Sequence, residues 1–286
     1  MSDDAVAAVG TTAPRYELVI KPHAAISLAD LADIWRYREL LWTLAARDVR
    51  VRYKQAAFGV AWALLQPLSQ MIIFTVLFNR LAGIRADAPV AYPLFCFSGI
   101  VIWQLFSAGL TGASNSLVEN ANVISKVWFP RVVVPLATVL AAGIDFVVGL
   151  ALVLIMMPIF GAHFHASIFF AIPLALVAAG SAFAVGLWTS AINLQFRDVR
   201  YALPFLLQLL IFLTPVFYPS SLIPARWQPL LYLNPMAGVV DGFRASLFGT
   251  PMPWARLGVS LVAATVVGLG GFLYFRRMEQ SFADRV

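Results

Sequence analysis

The chain has 286 residues, 61% of them hydrophobic and only 12% charged, with a formal net charge of +6 and a mean hydropathy of +0.83. One or two soluble domains of this length cannot hide so much apolar surface, so the composition excludes an ordinary water-soluble protein and points to a bilayer. The single cysteine, Cys96, excludes an intramolecular disulfide and a multi-cysteine metal site.

Residues 1–26 mix small, polar and charged side chains without periodicity and read as a flexible tail. Two acids and no basic stretch near the start argue against a cleavable signal peptide. Ser27, with Asp30 three residues on, marks a helix start. Beyond it Leu31, Trp35, Trp42, Ala45 and Val49 recur at helical spacing, while Arg36, Glu39, Thr43, Arg47, Arg50 and Lys54 line another face. Tryptophans on one side and basic residues on the other, with Arg52 and Tyr53 near the end, predict an amphipathic interfacial helix over residues 27–56, lying in the headgroup plane. A soluble amphipathic helix on a small domain fits less well, because no such domain follows.

Residues 57–286 predict an all-α membrane domain of six transmembrane helices. Crossing the roughly 30 Å hydrocarbon core takes about 20 mostly apolar residues, and six stretches meet or approach this: 58–81, 92–110, 132–160, 168–192, 201–217 and 257–275. The fifth is short and ends at Pro215 and Pro219. Lipid leaves backbone groups unsatisfied, so these must be helices, and the alternation of a barrel is missing. Fifteen of the 20 Lys and Arg fall on one side of the spans and five on the other. This bias places both termini in the cytoplasm and reads as topology and affinity for lipid headgroups, not nucleic-acid binding.

Several chemistries find no residues to carry them. No phosphate-binding loop of the Gly-x-x-x-x-Gly-Lys-Ser/Thr type occurs, and the only lysines are Lys21, Lys54 and Lys126. His163 and His165, with no carboxylate nearby, read as a solvated turn and not as metal ligands. Such a chain moves or anchors something without breaking bonds. An ion-driven carrier needs several ionisable groups at membrane depth. Asp145, between Gly143 and Gly149, stands nearly alone there. We expect it to hydrogen-bond a Ser, Thr or amide group on a neighbouring helix, and Asp145→Asn to keep most transport. Neither a solenoid repeat nor an inverted repeat is visible.

Three stretches carry a resemblance. Residues 41–68 read LWTLAARDVRVRYKQAAFGVAWALLQPL, residues 191–219 read AINLQFRDVRYALPFLLQLLIFLTPVFYP, and residues 233–244 read LNPMAGVVDGFR. In this order and with this topology they resemble the permease subunits of type 2 ABC transporters that export O-antigen, capsular polysaccharide or teichoic acid. The resemblance implies a homodimer in the bacterial inner membrane, paired with two copies of a separate ATPase that binds ATP and Mg. No cofactor is then expected in this chain. The substrate it implies is a lipid-linked polysaccharide, with O-antigen the first choice. A type 2 permease for drugs or small lipids, an ion-coupled secondary transporter and a structural scaffold are the alternatives.

The resemblance also assigns residues. A coupling helix over 120–131 would dock the ATPase through Val123, Ile124, Val127, Trp128 and Phe129, with Lys126 and Arg131 beside them. Arg197 and Asp198 form a second candidate contact. The first and fifth spans would line the channel with Trp62, Gln66, Ser69, Gln70 and Phe74, and with Phe205, Gln208 and Phe212. Rings can stack on pyranoses while amides exchange hydrogen bonds with hydroxyls, although Gln and Ser also glue helices together in membranes. An outer gate over about 219–250 would hold two short re-entrant helices joined at Asn234 and Pro235. The two helices would be 227–233, beginning at Trp227, and 236–247; Tyr218 would precede them, and Asp241 and Arg244 would pair at helical spacing.

Overall fold

The computed structural model describes residues 35–54 and 61–279. The tail, the helix start at Ser27 and the beginning of the first predicted span lie outside the described residues. Within them the regular structure is all helical, joined by turns and loops, with no strand.

Helix α1 is Arg38–Lys54 and α2 is Ala61–Phe74, whose last turns widen into a π-helical segment, Thr75–Leu81. Then come α3 (Tyr92–Glu119), the short α4 (Ala121–Ile124) and α5 (Val133–Ile159). A 3-10 turn, Ala166–Phe170, leads into α6 (Ala171–Gln195). Helix α7 is Val199–Leu213, α8 is Gln228–Tyr232, α9 is Pro235–Phe248 and α10 is Trp254–Glu279.

Among the described residues, five helical stretches are long and apolar enough to cross a membrane: Leu64–Leu81, Tyr92–Glu119, Val133–Ile159, Ala166–Gln195 and Trp254–Glu279. The predicted fifth span is the exception. Its helix α7 has 15 residues, about 22 Å at 1.5 Å per residue, short of the hydrocarbon thickness. Pro215 is the cause. The residue before a proline is pushed out of the helical region, and Thr214 sits at φ −107°, ψ 139°. The second predicted span was too short instead: α3 continues nine residues beyond residue 110 to Glu119.

Helix α3 is the hub, buried along most of its length between α5 and α6. Small residues allow that close approach, the usual device in membranes. A Cβ added to Gly186 of α6 would lie 2.5 Å from the Ala113 Cβ of α3, and one added to Gly149 of α5 would lie 3.0 Å from Val101. Helix α10 packs on α6, and α9 is wedged among α3, α6 and α10.

Helix α1 packs against α5. Leu41, Leu44 and Ala45 are buried in one cluster with Phe129, Val132, Val133 and Ala137, while Trp35 and Trp42 point outward. Farther on, Arg52 and Tyr53 bond Asp145, deep in α5. The helix therefore runs along the side of α5, held there by its aliphatic face and by this polar cluster.

Candidate functional site

A cavity of about 1020 Å³ opens between α2, α3, α5 and α7. From α2 it takes Trp62, Gln66, Gln70 and Phe74, and from α7 Gln208 and Phe212. Each set recurs near the helical repeat, which puts it on one face. Two predicted channel residues lie elsewhere. Ser69 is exposed and donates its hydroxyl to the Leu65 carbonyl at 2.7 Å, and Phe205 is 60% exposed; neither lines the cavity.

The back wall is a row that sequence reading missed. Gln104, Ser107, Thr111, Asn115 and Glu119 of α3 all line the cavity. Their spacing of three and four residues is a visible signal, but a predicted span ending at residue 110 divides the row and hides it. Asn115 is held in place by Asn193, whose Nδ2 donates to Asn115 Oδ1 at 3.1 Å and to the Ser114 carbonyl at 2.9 Å. The Thr111 hydroxyl returns to the Ser107 carbonyl at 2.8 Å. Among the described residues, the side-chain amides of Gln66, Gln70, Gln104 and Gln208 bond no protein group, so they remain available to whatever fills the cavity.

At the end nearest α9 the cavity is closed by aromatic rings. Phe74 stacks on Phe217 with centroids 3.5 Å apart, and Phe212 and Phe78 stand 5.8 and 6.2 Å from the same ring. On the opposite side the wall is ionic. Arg52 pairs with one carboxylate oxygen of Asp145, and the Tyr53 hydroxyl donates to the other. The hydroxyl or amide partner expected for Asp145 on a neighbouring span is thus replaced by an arginine and a tyrosine from α1, which reach it because α1 lies along α5. The rest of the basic face of α1 stays outside: Arg47 pairs with Asp48 at 2.8 Å, and Arg50 and Lys54 are exposed.

The 120–131 segment divides by burial. Ile124 and Phe129 are buried and Val123 packs beside them, so these three anchor the segment to the bundle. Lys126, Val127 and Trp128 face outward, Trp128 with 58% of its surface exposed. Its ring meets Tyr37 edge to face at 6.5 Å. Arg131 turns inward to the end of α10: its backbone N–H donates to Glu279 Oε1 at 3.2 Å, and its guanidinium bonds the Glu279 carbonyl. Arg197 and Asp198 are exposed before α7.

At the opposite end, Asn234 caps α9, its Oδ1 accepting from Met236 N at 3.0 Å, with Pro235 at the first helical position. Its Nδ2 donates to Thr214 Oγ1 at 2.8 Å, tying α9 to the broken end of α7. The Tyr218 hydroxyl donates to the Phe212 carbonyl at 3.0 Å, and Trp227 is exposed beside Arg226. The expected pair of Asp241 with Arg244 does not form. Asp241 instead accepts from the Tyr232 hydroxyl at 2.7 Å, and burial raises the pKa of both, Tyr232 to about 12. Arg244, buried, donates to the carbonyls of Phe95, Pro215 and Val216 and lies 3.6 Å over the Phe95 ring. The proline break leaves carbonyls without helical donors, and they claim the guanidinium.

Known proteins with related sequences agree in kind. The O-antigen export system permease protein RfbA of Myxococcus xanthus is 29% identical over 259 residues, covering 89% of this chain and 98% of that protein. Its namesake in Klebsiella pneumoniae is 26% identical over 249 residues, 86% of this chain and 94% of that one. The polysialic acid transport protein KpsM of Escherichia coli is 25% identical over 228 residues, 76% and 83% of the two chains. Residues 39–248, from α1 through α9, match the family described as ABC-2 type transporter. With the cavity, its walls and both flanking segments inside that match, the chain belongs to the ABC-2 type transporter family.

Proposed function

We propose that the protein is the membrane-spanning permease of an ATP-driven exporter that carries a lipid-linked polysaccharide, O-antigen first among candidates, out of the cytoplasm. The observation that carries this reading is the cavity wall: four amides without protein partners, hydroxyls on α3, and rings from α2 and α7. A hydroxyl-rich chain can exchange hydrogen bonds with the amides and stack on the rings. Away from the Arg52–Asp145 pair and Glu119 the lining carries no fixed charge, which keeps each contact there weak enough for onward movement. RfbA and KpsM, named for O-antigen export and polysialic acid transport, support the same substrate class.

The protein works as a homodimer. Helix α2 is almost wholly exposed and α7 largely so, and both flank the cavity, so a second copy would cover them and close the conduit. Two ATPase subunits, which bind ATP and Mg, dock at Lys126, Val127 and Trp128, with Arg197 and Asp198 as a second contact. Both termini face that cytoplasmic side of the inner membrane. Helix α7 with its extended continuation makes the sixth crossing. Helices α8 and α9, too short to span, are re-entrant and gate the outer mouth, and the outward Trp35 and Trp42 meet lipid.

The test is reconstitution with the partner ATPase in proteoliposomes. Lipid-linked polysaccharide should stimulate ATP hydrolysis and appear on the far side. Uphill solute movement by this chain alone, driven only by an ion gradient, would overturn the reading.

A further inference from the structure

Helix α1 joins two sites that the proposed function keeps apart. Just before its first turn, Tyr37 lies against Trp128 of the outward segment. Its middle, Leu41, Leu44 and Ala45, is buried with Ile124, Phe129 and Val133. Its last turn carries Arg52 and Tyr53 to Asp145. All three of these last residues line the cavity. Tyr37 and Tyr53 are 16 residues apart, about 24 Å along a helix, and Asp145 stands about 18 Å along α5 from Val133. One rod therefore connects the surface assigned to the ATPase with the wall of the substrate path.

Apolar contacts fix such a rod loosely, because aliphatic faces can slide. The carboxylate fixes it at a point: one oxygen takes a guanidinium, the other a hydroxyl, both from the same turn of α1. Removing Arg52 leaves the Asp145 carboxylate without its counter-charge, and removing the Tyr53 hydroxyl leaves one of its oxygens without a donor.

We infer that Asp145 is a positioning residue that locks α1 to the cavity wall through Arg52 and Tyr53, so that movement of the Trp128 segment displaces that wall. It is neither an ion-pathway group nor a substrate ligand. The inference rests on reading the Trp128 segment as the ATPase contact. It replaces the expectation that Asp145→Asn is mild: export per ATP hydrolysed should fall about tenfold in that variant.

The deciding experiment makes the lock covalent. Arg52→Cys and Asp145→Cys are combined in a chain carrying Cys96→Ala, and the complex with its ATPase is reconstituted. The double variant should hydrolyse ATP with export reduced at least tenfold. A short, reducible bis-methanethiosulfonate linker between the two thiols should restore export to within threefold of the parent, and reductant should abolish it again. Parental export without the linker overturns the inference. So does a linked complex that hydrolyses ATP and exports nothing, since the pair would then act through its charge. If the double variant does not assemble, Tyr53→Phe removes one bond without loss of volume. It should lower export per ATP twofold to fivefold, and an unchanged ratio overturns the lock. Unaltered ATPase binding by Trp128→Ala is a separate result: it would refute the docking reading while the linker result still reports on the lock.

Discussion

Arg244 offers the sharpest test of how the region outside α7 is held. Replacing it with Leu strips donors from three carbonyls. The Phe95 carbonyl keeps the Ser98 hydroxyl at 2.8 Å, but those of Pro215 and Val216 lie beyond the end of α7. Two orphaned carbonyls cost about 1–3 kcal/mol each, and loss of the stack on Phe95 about 1–2 kcal/mol. Not having to bury a guanidinium offsets part of this, leaving a net loss of about 3 kcal/mol. At about 3 °C per kcal/mol for a chain of this size, the melting temperature should fall by roughly 9 °C. Arg244→Lys, able to serve fewer acceptors, should lose about half as much. Intrinsic-fluorescence melting of the detergent-purified protein measures both. Gly99→Ala provides the cross-check, because its Cβ would stand 2.3 Å from Arg244 Nη2 and 2.8 Å from the Val216 oxygen. Combined with Arg244→Leu it should cost less than the sum of the two single changes. A melting temperature within 1 °C of wild type for Arg244→Leu, or full additivity with Gly99→Ala, would refute the pinning argument.

Gly186→Val drives a branched side chain into Ala113 across the α3–α6 contact and should cost about 2–3 kcal/mol by overpacking; the same melting assay reads it. Trp128→Ala removes an outward ring and should weaken ATPase association at least tenfold, measured by co-purification, with melting almost unchanged. Gln104→Leu and Gln208→Leu should each lower polysaccharide-stimulated ATP hydrolysis threefold or more without changing its basal rate. Equal stimulation in both variants would remove those amides from the path.

Apolar runs are legible because a helix in lipid must satisfy its backbone locally, and each run therefore announces itself without help from the rest of the chain. That is why 132–160 and the observed Val133–Ile159 agree so closely. The lengths of α3 and α7 were less legible. The polar face of residues 104–119 looks like an interruption until a cavity is placed beside it, and Pro215 acts on the backbone rather than on hydropathy. On α2 and α7, Trp62, Gln66, Gln70, Phe74, Gln208 and Phe212 could be grouped from spacing alone. Ser69 and Phe205 could not be separated from them, since helical repeat does not say which neighbouring face a partner helix leaves open.

What the sequence determined by itself is the class of molecule: a helical membrane protein without nucleotide-binding or metal-binding motifs, with aromatic and amide residues spaced to share faces. These properties are local, written in composition and short periodicities. Tertiary structure alone decided the pairings. Asp145 met Arg52 and Tyr53 of α1 rather than a Ser, Thr or amide group of a neighbouring span, Arg244 chose carbonyls over Asp241, and Phe129 turned inward while Trp128 turned out. Each choice depends on elements separated by tens of residues, on which acceptors a broken helix exposes, and on which face of a helix finds an apolar neighbour. No local pattern contains that information.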